Sequence, residues 1–177
     1  MTTTQPFSPD TADLDRFRHV PDGDGVHLHF LNHLATVKVE AGDSPSGLGA
    51  VEFAAPEGFG PPLHMHREED ELFYVLDGTI RAELGGPGGS VVHASAGDML
   101  LLPSKVPHTF CIESPVARML TIFAGRRTAP SFDRFVHHLG VPAPGPVLPT
   151  PVDIDPGAVA EACARHGMEV LGPPPSL

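Results

Sequence analysis

The sequence predicts an all-β protein: a double-stranded β-helix (jelly-roll) barrel with short C-terminal helices. Three observations predict it. Short runs rich in β-branched and aromatic residues recur through residues 26–125, and each is bounded by Gly, Pro, Asp or Ser. The chain carries 21 Pro and 19 Gly in 177 residues, a supply of turn formers that suits many short strands. The runs number about nine or ten, which fits two packed sheets of a jelly roll.

The elements follow in order. Residues 1–24 are polar and without period, and read as a flexible N-terminal arm. VHLHFL, LATVKVE and AVEFAAP are strand-like runs parted by turn chemistry such as GDSPSGLG. ELFYVL and TIRAEL meet at Asp77-Gly78, a strong hairpin signal. GGPGGS turns the chain into VVHAS; AGDMLLLP, HTFCI and RMLTIFAG then complete a barrel domain over 25–127. The remainder, 128–177, reads as a helical and Pro-rich extension. PSFDRFVHHLG suits a short helix, with Pro130 near its start, Gly140 as its stop and Phe132, Phe135 and Leu139 on one face. VPAPGPVLPTPVD is a stiff linker. In DPGAVAEACARHG, Asp155 is the expected N-cap, Pro156 the first helical residue and Gly167 the stop, and MEVLGPPPSL is expected to add a short extended piece.

Composition excludes several classes of partner. With 11 basic against 22 acidic residues the formal charge is −11, which repels a phosphate backbone and disfavours anionic membranes. The sequence offers no apolar stretch near the ~20 residues a bilayer span needs, and Met1–Asp10 lacks the pattern of a secretory signal. Cys111 and Cys163 lie far apart and read as unpaired, so the expected setting is cytoplasmic.

The chemistry is concentrated in two runs, GFGPPLHMHREEDELFYVLDG and GDMLLLPSKVPHTF. A strand alternates its side chains, so His64 and His66 share a face with Met65 pointing away. After a short acidic loop, a second strand starting at Glu71 can return its carboxylate to that side, and His108 arrives from downstream. Three imidazoles and one carboxylate suit one divalent first-row transition metal and leave room for substrate or water.

These runs resemble the two cupin motifs. Gly58, His64, His66, Glu71 and Gly78 match the fixed positions of the first; Gly97, Pro103 and His108 match the second. Lys105 stands where the second motif usually has Gly, and Ile112 where it usually has Asn. The resemblance implies a cupin barrel whose metal ligands are His64, His66, Glu71 and His108. Within the family the chain looks like single-domain relatives of quercetin 2,3-dioxygenase, on HMHREEDELFYVLDG, PSKVPHTF and the tail ARHGMEVLGPPP. This implies metal-dependent, O2-dependent ring cleavage of a flavonol or related aromatic, with Glu71 as both ligand and catalytic base. Iron, manganese, nickel and cobalt all suit the donor set.

By alternation from the ligands, Phe53, Phe73, Val75, Met99, Leu101, Phe110 and Ile112 are the expected lining of an apolar pocket for an aromatic small molecule. Cys111 is expected to face away from it. His27, His29 and His33 are weaker metal candidates than the motif residues. His137 and His138 fit a helix surface, the acidic residues 68–70 a solvated turn, and Arg126 and Arg127 solvated charges. Two other function classes fit the same ligands: a non-oxidative enzyme such as a polyketide cyclase or isomerase, and a small-molecule-binding cupin without turnover. A homodimer is expected from the habits of jelly-roll cupins.

Overall fold

The computed structural model describes residues 17–125 and 132–175. Ten strands occupy the barrel stretch among these residues: β1 (Val26–Phe30), β2 (His33–Val39), β3 (Leu48–Pro56), β4 (His64–His66), β5 (Glu69–Asp77), β6 (Thr79–Leu84), β7 (Ser90–Ser95), β8 (Met99–Leu102), β9 (His108–Ile112) and β10 (Val116–Gly125). Helix α1 (Phe132–Leu139), β11 (Val141–Pro142), helix α2 (Pro156–Arg165) and β12 (Met168–Val170) follow. The protein is all-β in architecture, as the run pattern predicts.

The strands form two antiparallel sheets, ordered β11-β1-β2-β3-β10-β5-β8 and β12-β4-β9-β6-β7. The β5–β6 hairpin turns at Gly78, whose φ of +79° is natural only to glycine. A Cβ there would also collide with Ser114 Oγ and with the Val116 carbonyl oxygen. The turn therefore admits no side chain for two separate reasons.

The segment after the barrel is docked onto it. β11 pairs with β1, Asn32 exchanges two hydrogen bonds with the Val152 backbone, and His29 Nε2 donates to the Val147 carbonyl at 3.1 Å. Asp155 caps α2 by accepting from the Gly157 amide at 2.8 Å. Phe132, Phe135, Val136, Val159, Ala162 and Met168 join Phe30, Val51, Phe53 and Phe123 in one buried cluster. A second cluster, containing Phe73, Val75, Ile80, Phe110 and Ile112, fills the rest of the barrel. Pro130, Arg126 and Arg127 lie outside the described residues, as do residues 1–16 of the expected arm.

Candidate metal centre and cavity

His64 and His66 come from β4, Glu71 from β5 and His108 from β9, and they converge. One potential ligand atom from each lies within 4.8 Å of all the others, and no further group of three or more such residues gathers among the described residues. His66, Glu71 and His108 are at most 2% exposed. Local structure explains the convergence. His64 and His108 are register partners across β4 and β9. The His66 and His108 rings are parallel, with centroids 5.6 Å apart.

Each imidazole is oriented by the chain around it. His64 Nδ1 donates to the Pro62 carbonyl at 2.8 Å, and His108 Nδ1 to the Val106 carbonyl at 2.9 Å. A carbonyl only accepts, so both rings carry their proton on Nδ1 and turn a bare Nε2 inward. His66 Nε2 and His108 Nε2 each approach Glu71 Oε2 to 3.2 Å. Yet both nitrogens are sealed from solvent and make no hydrogen bond. The contacts are short but misdirected, as expected when lone pairs aim at a common centre rather than at one another. Orphaned buried nitrogens are costly on their own; a divalent cation satisfies them together. The residues therefore fit a transition metal in a His3Glu donor set.

Without a cation the cluster holds a proton. Burial raises Glu71, but His66 and His108 outweigh it and keep the carboxylate ionised well below its usual range. Burial lowers His66, but the carboxylates of Glu71 and Glu69 outweigh it and raise the imidazole to about 9. His64 falls to about 3, through burial and then repulsion by His108 and His66.

One neighbour of the cluster departs from sequence expectation, and a second keeps a motif backbone without the motif residue. Glu69 does not sit in a solvated turn: it begins β5, is 4% exposed, accepts from the Phe132 amide at 3.2 Å and stands 3.7 Å from His66 Nδ1. The acidic run is a strand end, and the pleat turns Glu69 to the same side as Glu71. Lys105 takes the place of the usual glycine and also its backbone, with φ of +66°. Its amide donates to the His66 carbonyl at 2.7 Å, which fixes the unusual conformation.

A cavity of about 450 Å³ opens onto the cluster at His64 and Glu71. Of the residues named from the sequence as pocket lining, Phe53, Phe73 and Phe110 lie on its wall. Four other expected residues do not. Met99 and Leu101 are 58% and 64% exposed on the outer face of β8, because Leu100 and Leu102 take the inward phase. Val75 and Ile112 are fully buried in the second core cluster, beyond the cavity wall. Cys111 is buried and absent from that wall.

Sequence reasoning missed most of the lining. Phe30 and His33 come from the β1–β2 hairpin, and Phe59 from the stretch before the first ligand. Phe132, Phe135, Val159, Cys163 and Met168 come from the C-terminal segment. The apolar face of α1 was a visible signal, but its docking site was not. Thr121 also lines the cavity, with a buried Oγ1 that has no partner among the described residues.

The Cupin domain family matches residues 51–123, the stretch that carries all four residues of the cluster. The quercetin 2,3-dioxygenase of Bacillus subtilis (strain 168) is 26% identical over 99 residues, which is 56% of this chain and 28% of that protein. The match thus spans just over a quarter of the curated relative's length. Among solved structures, Pac13, a nucleoside dehydratase also solved as a Streptomyces protein, shares the fold at a TM-score of 0.50 and 15% identity, over 62% of this chain and 83% of that one. KdgF from Halomonas sp. aligns at a TM-score of 0.48 and 24% identity, over 55% and 82% of the two chains.

Proposed function

We propose that this chain, a protein of the cupin superfamily resembling quercetin 2,3-dioxygenase, is a metal-dependent dioxygenase that opens the ring of a flavonol or related aromatic. The observation that carries the reading is the junction of two features: a His3Glu cluster with orphaned nitrogens, and a phenylalanine-walled cavity that opens onto it. A volume of about 450 Å³ suits a molecule of two or three rings.

A divalent metal held by His64, His66, Glu71 and His108 would supply Lewis acidity and a docking point for a substrate oxygen. The protein's own residues do the rest. Glu71 is held ionised by its two imidazole neighbours, so it can accept a hydrogen bond from the substrate's enolic hydroxyl and orient it. Because the same neighbours weaken it as a base, the metal's Lewis acidity would have to acidify that hydroxyl for the proton to pass to Glu71. The apolar wall excludes water, so the electron-rich ring carbon of the deprotonated substrate is open to O2 rather than to a solvent proton. Flavonol and O2 then give one depside and one carbon monoxide, with no outside reductant.

The same reading takes the protein as a cytoplasmic homodimer. The two cysteines are free and buried, which fits a reducing compartment. Met99 and Leu101 leave exposed apolar surface on the sheet-edge strand β8, which fits a second copy.

Oxygen uptake with quercetin tests the function, on protein reconstituted separately with iron, manganese, nickel and cobalt. The expected result is uptake with at least one metal that vanishes in His66→Ala together with bound metal. Full metal content in His66→Ala would overturn the ligand set. No uptake by protein shown to hold metal would move the assignment to a non-oxidative reaction at the same cluster.

A further inference from the structure

Away from the ligand cluster, the barrel's contribution to the cavity wall is almost entirely carbon, with phenylalanine rings dominating. His33, at the start of β2, and Thr121, on β10, are the exceptions, and of the two side chains only His33 presents an aromatic ring nitrogen. It is 4% exposed and packed among rings, with centroids 4.2 Å from Phe59, 5.0 Å from Phe53 and 5.1 Å from Phe30. Two phenyl rings, Phe53 and Phe132, link it to His66 in a continuous aromatic path.

Its protonation is fixed by one contact. His33 Nδ1 lies 3.2 Å from the Leu31 carbonyl oxygen, so Nδ1 carries the proton and Nε2 carries a lone pair. Burial holds the imidazole near pKa 4, so it stays neutral at physiological pH. Nε2 has no hydrogen-bond partner among the described residues, and it is not one of the fully sealed atoms. A phenylalanine would fill the same space without an unpaired acceptor, which a buried site tolerates poorly.

We propose that His33 is a polar anchor of the cavity outside the metal cluster, with its Nε2 accepting a hydrogen bond from a ring hydroxyl of the substrate where the wall is formed by Phe30, Phe53 and Phe59. The preferred substrate class is therefore an aromatic with two oxygen functions, one at the cluster and a separate phenolic hydroxyl at His33. This rests on reading the cavity as the substrate site. It adds a specificity-determining residue that lies outside both sequence motifs.

The test is binding affinity on the metal-loaded full chain for two probes. Quercetin carries ring hydroxyls; 3-hydroxyflavone keeps only the oxygens that meet the cluster. In His33→Asn, the amide nitrogen can still donate to the Leu31 carbonyl, but the acceptor at Nε2 is gone. In His33→Gln, an amide oxygen reaches the Nε2 position. His33→Asn should weaken quercetin about tenfold and leave 3-hydroxyflavone within about twofold, and His33→Gln should restore most of the loss. Equal losses for both probes, unchanged quercetin binding, or no binding of either probe to the unaltered protein would overturn the proposal. Oxygen uptake is read separately. If it is absent while the difference between probes persists, the dioxygenase reading fails and the anchor stands.

Discussion

Among single residues, His66 has the most consequential environment. Its imidazole is raised to about 9 in the metal-free protein, chiefly because ionised Glu71 lies 3.2 Å away and outweighs the effect of burial. A raised folded value stabilises the metal-free fold fully below pH 6.5, and that contribution is lost as pH climbs through 9. Metal binding needs the neutral ring and must displace the proton. Apparent metal affinity should therefore rise with pH, about tenfold per unit from about 6.5 toward 9. Competition with a chromophoric chelator at several pH values measures this, and a flat profile would remove His66 from the ligand set. His64, already held near pKa 3, contributes nothing to that slope. The cluster of His64, His66, Glu71 and His108 was legible in the sequence because the His64–His66 spacing matches a strand period. The neighbours that tune them were not. Glu69 looked like one more loop acid until the start of β5 buried it, and Lys105 hid a glycine-like backbone behind a charged side chain.

At the level of elements, a strand of only three residues carries two of the four residues of the metal cluster. β4 has three residues and a single register pair with β9, too little to hold His64 and His66 in place. β12 supplies the rest. Met168, Glu169 and Val170 pair with His66, Met65 and His64 along the free edge. Further backbone bonds join Arg67 to Gly167 and Leu171 to Leu63. The sequence offered an extended piece at this position but not its partner, because strand pairing across about a hundred residues leaves no local trace. Met168 is 1% exposed and lines the cavity. Met168→Ala should cost about 2–4 kcal/mol of stability. It should also speed metal loss, since the strand that braces His66 loses its anchor. Urea denaturation and metal-release kinetics read the two effects, and unchanged release would show that β4 holds its ligands unaided.

For the molecule as a whole, the barrel and the C-terminal segment share one buried cluster and one cavity. A segment that contributes Phe132, Phe135, Val159 and Met168 to the common core has no reason to melt on its own. Calorimetry of the full chain should give a single cooperative transition, with metal shifting it upward as a whole. Two separate transitions would mark the extension as an independent unit. No helix among the described residues is long and apolar enough to cross a membrane.

What the sequence determined by itself was local and periodic. Strand runs and their turns gave the all-β barrel; the spacing of His64, His66, Glu71 and His108 gave the cluster; Asp155 and Pro156 marked the start of α2. Each is set by a side-chain period of two or by the backbone preference of one residue. The tertiary structure alone decided the phase of β8, which sends Leu100 and Leu102 inward and leaves Met99 and Leu101 outside. It alone also brought His33, Phe59 and the C-terminal residues to the cavity wall, and laid β12 along the ligand strand. These are contacts between segments far apart in the chain. They are fixed by which apolar faces can be buried together, a property of the assembled sheets that no short stretch of sequence contains.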